Sequence, residues 1–273
     1  MKKRNKYLSW IAFFQLLFTA GFAEAQNGST PIDFRINIDI YDNEAKPPIN
    51  SVETIFMGGQ YIELDDSRNR VTVVDPSKGR VSILNSDSKT LVHLEMSGLE
   101  NQVNSILTEM TPEQRRKFSS HGVPVSDSAG FVSVGNENLR YKFKPITPTN
   151  PKIAICYADF ANWSARVNAR YYRVPPFIRM ELNQLLMDQR QLPEELHRLT
   201  MIAPPNQADP VGKSEEIIAR LFLTESLNNN DRSRVAGVLK SMTEFKITTE
   251  KDFFASDAQV RVTAEKDTRP KSR

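Results

Sequence analysis

The longest hydrophobic pattern in the chain alternates with period two. It runs over residues 32–41, and its apolar positions are Ile32, Phe34, Ile36, Ile38 and Ile40. Alternation of this kind places all five side chains on one face of a β-strand and leaves polar residues on the other face. A strand with one polar face is typical of an antiparallel sheet, because the strands of parallel sheets are buried on both faces.

Five shorter apolar runs follow this strand and are separated by turn residues. The runs cover residues 52–57, 61–64, 70–74, 80–84 and 90–95. The turns include Gly58-Gly59, a hairpin signal, and the segment 75–79, which is rich in turn-forming residues. Six strands joined by short loops predict an antiparallel meander, and residues 139–144 alternate in the same way and predict a further strand.

Beyond residue 96 the spacing of apolar residues becomes helical. This spacing predicts helices over 99–110, 151–167, 176–186 and 231–242, and a capping box at Thr111–Gln114 starts a short polar helix. Three prolines between 145 and 151 separate the meander, 32–144, from a mainly helical segment, 151–255. Within that segment, 196–202 and 217–224 are two further predicted strands.

These elements predict an α+β fold. We expect one antiparallel β-meander, a curved sheet or half-barrel, whose apolar face is covered by α-helices. Because a sheet with one apolar face needs a cover, we assign residues 26–255 to a single domain. The sequence leaves open whether 151–255 is a separate domain, and the polar segment 256–273 is expected to be a disordered tail.

The first 25 residues have the three-part layout of a secretory signal peptide. A basic segment at 2–6 precedes an apolar segment at 8–20, and small residues at Ala23 and Ala25 suit a cleavage site. The apolar segment is shorter than the ~20 residues that span a bilayer, which disfavours the alternative of an uncleaved anchor. We therefore expect cleavage near Ala25 and export to the periplasm or the extracellular space.

The formal net charge of the chain comes from its first 25 residues. Four of the 36 basic residues and one of the 33 acidic residues lie in positions 1–25, so the remaining residues carry no formal net charge. A neutral body has no overall attraction for phosphate backbones, so we predict no nucleic-acid partner. The composition, 39% hydrophobic and 25% charged, is typical of a soluble globular protein that does not span the membrane after cleavage.

The sequence offers no recognisable set of catalytic or metal-binding residues. His93, His121 and His197 lack partners at metal-ligand spacing, and nucleotide-binding motifs are absent. We therefore predict no catalytic residue, no metal and no cofactor. The lone Cys156 lies on an apolar helical face and cannot form an internal disulfide, so we interpret it as an inert buried thiol.

The candidate site is instead apolar. Aromatic residues cluster around Trp163 at helical spacing, a pattern that favours a helix-to-sheet core over the alternative of a ligand pocket. If the cluster lines a pocket, the opposing strand residues line it too. The predicted lining residues are Phe34, Ile36, Ile38, Phe56, Phe160 and Trp163.

The order of these elements resembles the bacterial family of outer-membrane lipoprotein carriers. The resemblance covers residues 32–143 and lies in the layout: an exported, disulfide-free chain with a long alternating first strand, then a meander with interposed helices. It implies a half-barrel sheet covered by helices around a hydrophobic cavity. It assigns no functional residue in this chain, and the helical segment around 159–164 has no counterpart in the family.

Three functions are compatible with these observations. The first is a non-enzymatic extracytoplasmic binding or carrier protein for an apolar small molecule or acyl chain. The second is a structural or protein-interaction module of the cell envelope, which would expose a large apolar patch. The third is a hydrolase of unknown substrate, which would require dispersed Asp, Ser and His residues to converge in a cleft. We rank the binding protein first and the hydrolase last.

Overall fold

Twelve strands form one open sheet in the computed structural model, which describes residues 31–42, 44, 46–120, 123–172, 175–202 and 213–255. The strands are β1 (Phe34–Tyr41), β2 (Asn50–Met57), β3 (Gln60–Asp65), β4 (Arg70–Asp75), β5 (Arg80–Asn85), β6 (Thr90–Glu95), β7 (Val125–Ser126), β8 (Val132–Gly135), β9 (Leu139–Ile146), β10 (Leu192–Ile202), β11 (Lys213–Thr224) and β12 (Lys246–Ile247). Together with the helices, this sheet confirms the predicted α+β class.

The order of the strands places β1 near the middle of the sheet. Read across the sheet, it is β12-β6-β5-β4-β3-β2-β1-β11-β10-β9-β8-β7. Neighbouring strands are antiparallel except for β12, which pairs with β6 in parallel. The first six strands of the predicted meander, β1–β6, form one half of the sheet, but its last strand, β9, lies in the other half beside β10. β1 joins the two halves by pairing with β2 and β11, with Phe34 opposite Phe56 and Ile36 opposite Leu223.

Six helices accompany the sheet in the described residues. They are α1 (Met96–Glu109), α2 (Pro112–Lys117), α3 (Lys152–Tyr172), α4 (Phe177–Gln189), α5 (Asn229–Glu244) and α6 at 250–255. The capping box predicted at Thr111 is confirmed, since its hydroxyl accepts from the backbone N–H of Gln114 at 3.2 Å. A second capping box begins α5, where Asn228 is the N-cap and Asp231 is its reciprocal partner.

The inner face of the sheet, defined as the face that carries Phe34, Phe56 and Phe143, supports the main hydrophobic core. Side chains from α1, α3 and α4 complete this cluster, including Leu99, Ile153, Phe160, Trp163, Ile178 and Leu182. The cover that the alternating strand requires is therefore supplied by helices from both the middle and the later part of the chain.

The outer face, opposite the inner one, is also apolar over β2–β6. Ile55, Ile62, Val73, Leu84 and Leu91 form a second cluster with Val235 of α5. The expectation of a single apolar face therefore holds for only part of the sheet. The physical reason is that neighbouring apolar residues such as Ile55-Phe56 and Val73-Val74 point to opposite faces of their strand, so both faces need a cover.

All described residues from Ile32 onward belong to one compact unit. Within them, no helix has the length and apolar character that a membrane crossing requires. The predicted signal peptide, residues 203–212, the predicted tail at 256–273 and His121 lie outside the described residues.

Candidate ligand-binding site

The structure brings the six predicted lining residues together at the interface between the inner face and the helices. Five of them are buried members of the main cluster, and Ile38 is partly buried against it. These five are Phe34, Ile36, Phe56, Phe160 and Trp163. Three lie on β1 or β2 and two on α3, and their contact with a ligand stays a prediction.

Aromatic rings join the sheet to α3 in this region. The rings of Phe34 and Phe56 are stacked with their centroids 4.1 Å apart, and Phe160 meets Phe56 edge-on at 5.8 Å. Tyr61 also meets Phe160 edge-on at 6.2 Å. Contacts of this geometry each add about 0.5–1.5 kcal/mol beyond simple burial, so they fix α3 firmly against β1, β2 and β3.

A polar group is embedded in this apolar interface and is centred on Asp159. The hydroxyl of Tyr61 donates to Asp159 Oδ2 at 3.0 Å, and the indole N–H of Trp163 donates to the same carboxylate. Burial raises the pKa of Asp159, and these two donors together with the nearby Arg166 oppose that rise. Burial, reinforced by Asp159, also raises the pKa of Tyr61.

Arg166 is the fourth member of this group, and two of its hydrogen-bond donors have no acceptor in the described part of the chain. It is 6% exposed, and its guanidinium lies over the Trp163 ring at 4.6 Å. Its Nε and Nη1 atoms are buried and have no hydrogen-bond acceptor among the described residues. Burial lowers the pKa of Arg166, and Glu100 and Asp159 counteract only part of this effect.

Asp159 and Arg166 were not among the predicted site residues, although the sequence contains a signal for them. Asp159, Trp163 and Arg166 follow one another at intervals of four and three, which places them on one face of a helix. Charged residues on the same face as a core tryptophan are unusual, because burying a charge is costly. Nearby, Cys156 is half-buried and not fully buried as predicted; its partial burial raises the pKa of the thiol to about 11, which favours an inert thiol.

Farther along the strands, the inner face becomes polar. Two-residue alternation puts Glu63 and Asp65 on the same face as Tyr61, and Arg70 lies directly opposite Asp65. Burial, with a smaller contribution from Asp65, raises the pKa of Glu63 to about 7. Thr54 is buried on this face, and its hydroxyl has no hydrogen-bond partner among the described residues. The inner surface therefore has an apolar and a polar part.

A separate charged cluster surrounds His197 on the outer face. Its two ring nitrogens lie 2.7 Å from Glu216 Oε1 and from Glu195 Oε1, while Arg220 donates to Glu195 at 2.9 Å. Glu44, Glu195 and His197 place one possible metal-ligand atom each within 4.8 Å of one another. This group was not predicted from the sequence, although Glu195 and His197 alternate along β10 and therefore share a face.

This cluster is saturated by its own bonds. Each ring nitrogen of His197 has a carboxylate oxygen within hydrogen-bond distance, and Arg220 forms an ion pair with the same Glu195. These contacts link β10 to β11.

A serine–histidine pair is also present on the outer face. Ser82 Oγ lies 2.9 Å from Nδ1 of His93, and the two residues are direct cross-strand partners in β5 and β6. Ser82 is 2% exposed, so its hydroxyl offers no access to an acyl substrate. The contact is thus explained as a cross-strand hydrogen bond.

The chain matches no model of a known protein family and no curated protein. A proposal on its function therefore rests on the geometry of the described residues.

Proposed function

We propose that this protein is a non-enzymatic extracytoplasmic binding or carrier protein for a lipid-like or other apolar ligand. The ligand lies between the inner face of the sheet and the helices, in contact with the predicted lining residues. One observation carries the proposal: the inner-face cluster joins a broad apolar surface to buried polar atoms without partners, Arg166 Nε and Nη1 and Thr54 Oγ1.

The energetic cost of these atoms supports the proposal. A buried donor without a partner costs about 1–3 kcal/mol, and a charged one costs more. Small-molecule sites combine a mostly apolar lining with a few polar groups that orient the ligand. The inner-face cluster has this composition, since Tyr61 contacts both the aromatic rings and Asp159, and Trp163 lies against Arg166.

Two expectations from the sequence agree with this role. The predicted signal peptide would deliver the protein to an aqueous compartment in which apolar molecules need a carrier. The resemblance to lipoprotein carriers implies the same kind of ligand, held by the same kind of layered sheet.

Purification without detergent tests the proposal. The full chain is expressed, purified, and extracted with organic solvent, and the extract is analysed by mass spectrometry. We expect a lipid-like molecule to co-purify, and the neutral fluorescent probe N-phenyl-1-naphthylamine to bind the extracted protein. An empty extract together with no binding of the probe would overturn the proposal.

A matched pair of variants assigns the site. Ile38 is partly buried against the inner cluster, and Leu239 is partly buried against the outer cluster. Ile38→Asp and Leu239→Asp therefore introduce the same carboxylate into comparable surroundings on opposite faces. We expect only Ile38→Asp to abolish binding of the probe, since only that residue lies on the inner face.

A protein-interaction module is the second candidate, favoured by one edge of the sheet. Near the edge strand β7, Val123 is 82% exposed and Val125 is 66% exposed. β7 pairs only with β8 among the described residues, so its other side is open for strand addition by a second copy of this chain. Sedimentation would show a dimer that Val125→Lys dissociates and Ile247→Lys, at the opposite edge, leaves intact.

A further inference from the structure

Arg166 lies in a buried environment that its own protein does not complete. Trp163 stacks against its guanidinium, and Glu100 and Asp159 are near enough to influence it electrostatically. None of the ion pairs among the described residues includes Arg166, and its Nε and Nη1 remain without acceptors. A buried cation in this state is costly unless another group supplies the missing charge and acceptors.

Neither Asp159 nor Glu100 fills this role, because Nε and Nη1 of Arg166 have no hydrogen-bond acceptor among the described residues. Tyr61 and Trp163 instead donate to the Asp159 carboxylate. Because burial raises the pKa of Asp159, the neutral form of this carboxyl group is favoured more than at an exposed site. An acceptor from a ligand can therefore lie beside Arg166 while Asp159 keeps its observed position.

The surroundings of Arg166 restrict what can supply that acceptor. Trp163 belongs to the main apolar cluster, and Val167 on the next turn packs against the same cluster. A fully hydrated small anion would have to give up its water to enter such surroundings. An anion attached to an apolar chain gains from burial of the chain, which offsets this loss.

We propose that the ligand is an anionic amphiphile, with its carboxylate or phosphate head group bound by Arg166 and its apolar chain packed among the inner-face residues. This inference rests on the proposed binding function and narrows its ligand class. Charge-assisted hydrogen bonds to guanidinium groups are among the stronger ones in proteins, so Arg166 provides both affinity and orientation.

Fluorescence of Trp163 gives a direct reading of this site. The chain has two tryptophans, Trp10 and Trp163, so the full chain with Trp10→Phe reports on Trp163 alone. Palmitate is the anionic probe, and 1-hexadecanol is the neutral probe of equal chain length. Acetate and inorganic phosphate supply the head group without the chain. We expect palmitate to bind at least about 10-fold more tightly than hexadecanol, and neither acetate nor phosphate to change the fluorescence.

Variants at Arg166 separate a ligand role from a structural one. We expect Arg166→Met to weaken palmitate binding about 10- to 100-fold and to leave hexadecanol binding nearly unchanged. Without ligand, Arg166→Met should melt at or above the temperature of the parent, because an unpaired buried charge has been removed. Arg179→Met is the matched control, since Arg179 already donates to the Tyr157 hydroxyl at 3.1 Å.

Four results would overturn this inference. They are equal binding of palmitate and hexadecanol, unchanged palmitate affinity in Arg166→Met, a lower melting temperature of that variant without ligand, and a fluorescence response to phosphate or acetate alone. The first two leave the proposed binding function standing. Failure of both chain-bearing probes to bind would instead overturn the binding function itself.

Discussion

Arg35 on β1 and Asp231 on α5 are 196 positions apart and form an ion pair of 2.9 Å. Asp231 is fully buried, and its other carboxylate oxygen accepts from the backbone N–H of Asn228 at 3.0 Å. One carboxylate thus holds the start of α5 and ties that helix to the central strand. This ion pair adds a polar contact to the apolar cluster through which α5 packs against β2–β6.

We expect Asp231→Asn to lower the free energy of unfolding by about 3 kcal/mol. Asparagine keeps a side-chain oxygen for the cap, so the main loss is the charge that faces Arg35. Asp42→Asn is the matched control, because Asp42 forms an exposed pair with Lys46 and should cost less than about 1 kcal/mol. Urea unfolding of both variants measures the difference, and equal losses would contradict the assigned role of Asp231.

Gly135, at the end of β8, and Gly237, within α5, should respond oppositely to alanine. Gly135 has φ of 130°, and a Cβ atom there would lie 2.3 Å from the carbonyl oxygen of Leu139. Gly135→Ala should therefore cost about 2 kcal/mol or more. Around Gly237 a Cβ atom meets nothing within 4 Å.

Because alanine is the better helix former, Gly237→Ala should stabilise the protein by about 0.5–1 kcal/mol. Thermal unfolding followed by circular dichroism compares the two variants directly. A stabilising effect of Gly135→Ala would show that the turn between β8 and β9 differs from the one described.

Glu63 makes stability depend on pH in the neutral range. Its pKa is about 7 in the folded protein, against 4.5 for an ordinary glutamate. The folded state therefore holds a proton that the unfolded state has lost between these two values. The contribution of Glu63 to the free energy of unfolding is fully present below about pH 4.5. It falls by an amount on the order of 2–3 kcal/mol as the pH rises to about 7.

Glu63→Gln should remove this fall in the free energy of unfolding with rising pH. We expect the variant to be more stable than the parent at pH 8 and similar to it near pH 4.5. Glu109→Gln, at an exposed position at the end of α1, is the control and should leave the pH dependence unchanged. Urea unfolding across pH 4.5–8 measures the effect, and parallel curves for the parent and Glu63→Gln would refute this role of Glu63.

The charged cluster at His197 should not depend on a metal ion. Each ring nitrogen already has a carboxylate partner, and Arg220 occupies Glu195, so Zn²⁺ would have to displace existing bonds. We expect neither EDTA nor added Zn²⁺ to change the melting temperature by more than about 1 °C. A rise with Zn²⁺ that disappears in His197→Gln would instead identify Glu44, Glu195 and His197 as metal ligands.

Sequence alone predicted the elements whose pattern is periodic over their whole length. The alternation at 32–41 gave β1 to within two residues, and 90–95 matches β6. Short or mixed elements were harder to predict. β12 has only two residues and exists because of its pairing with Thr90 and Leu91, a tertiary contact that leaves no periodic signal.

The candidate site was predictable in its apolar part only. Phe34 and Phe56 were identified because apolar residues on a strand point toward a cover. The polar part depends on where α3 crosses the sheet, since only that crossing brings Asp159 to Tyr61, 98 positions away. A single sequence contains no information on such a crossing beyond the presence of charged residues on an apolar face.

The central position of β1 delays completion of the sheet. During synthesis β1 finds β2 at once, but its other edge stays open until β11, at Lys213–Thr224, has been made. Pairing across such a sequence separation slows folding, because a long loop must close before the contacts form. Chains truncated before residue 213 should therefore retain an unsatisfied strand edge and aggregate.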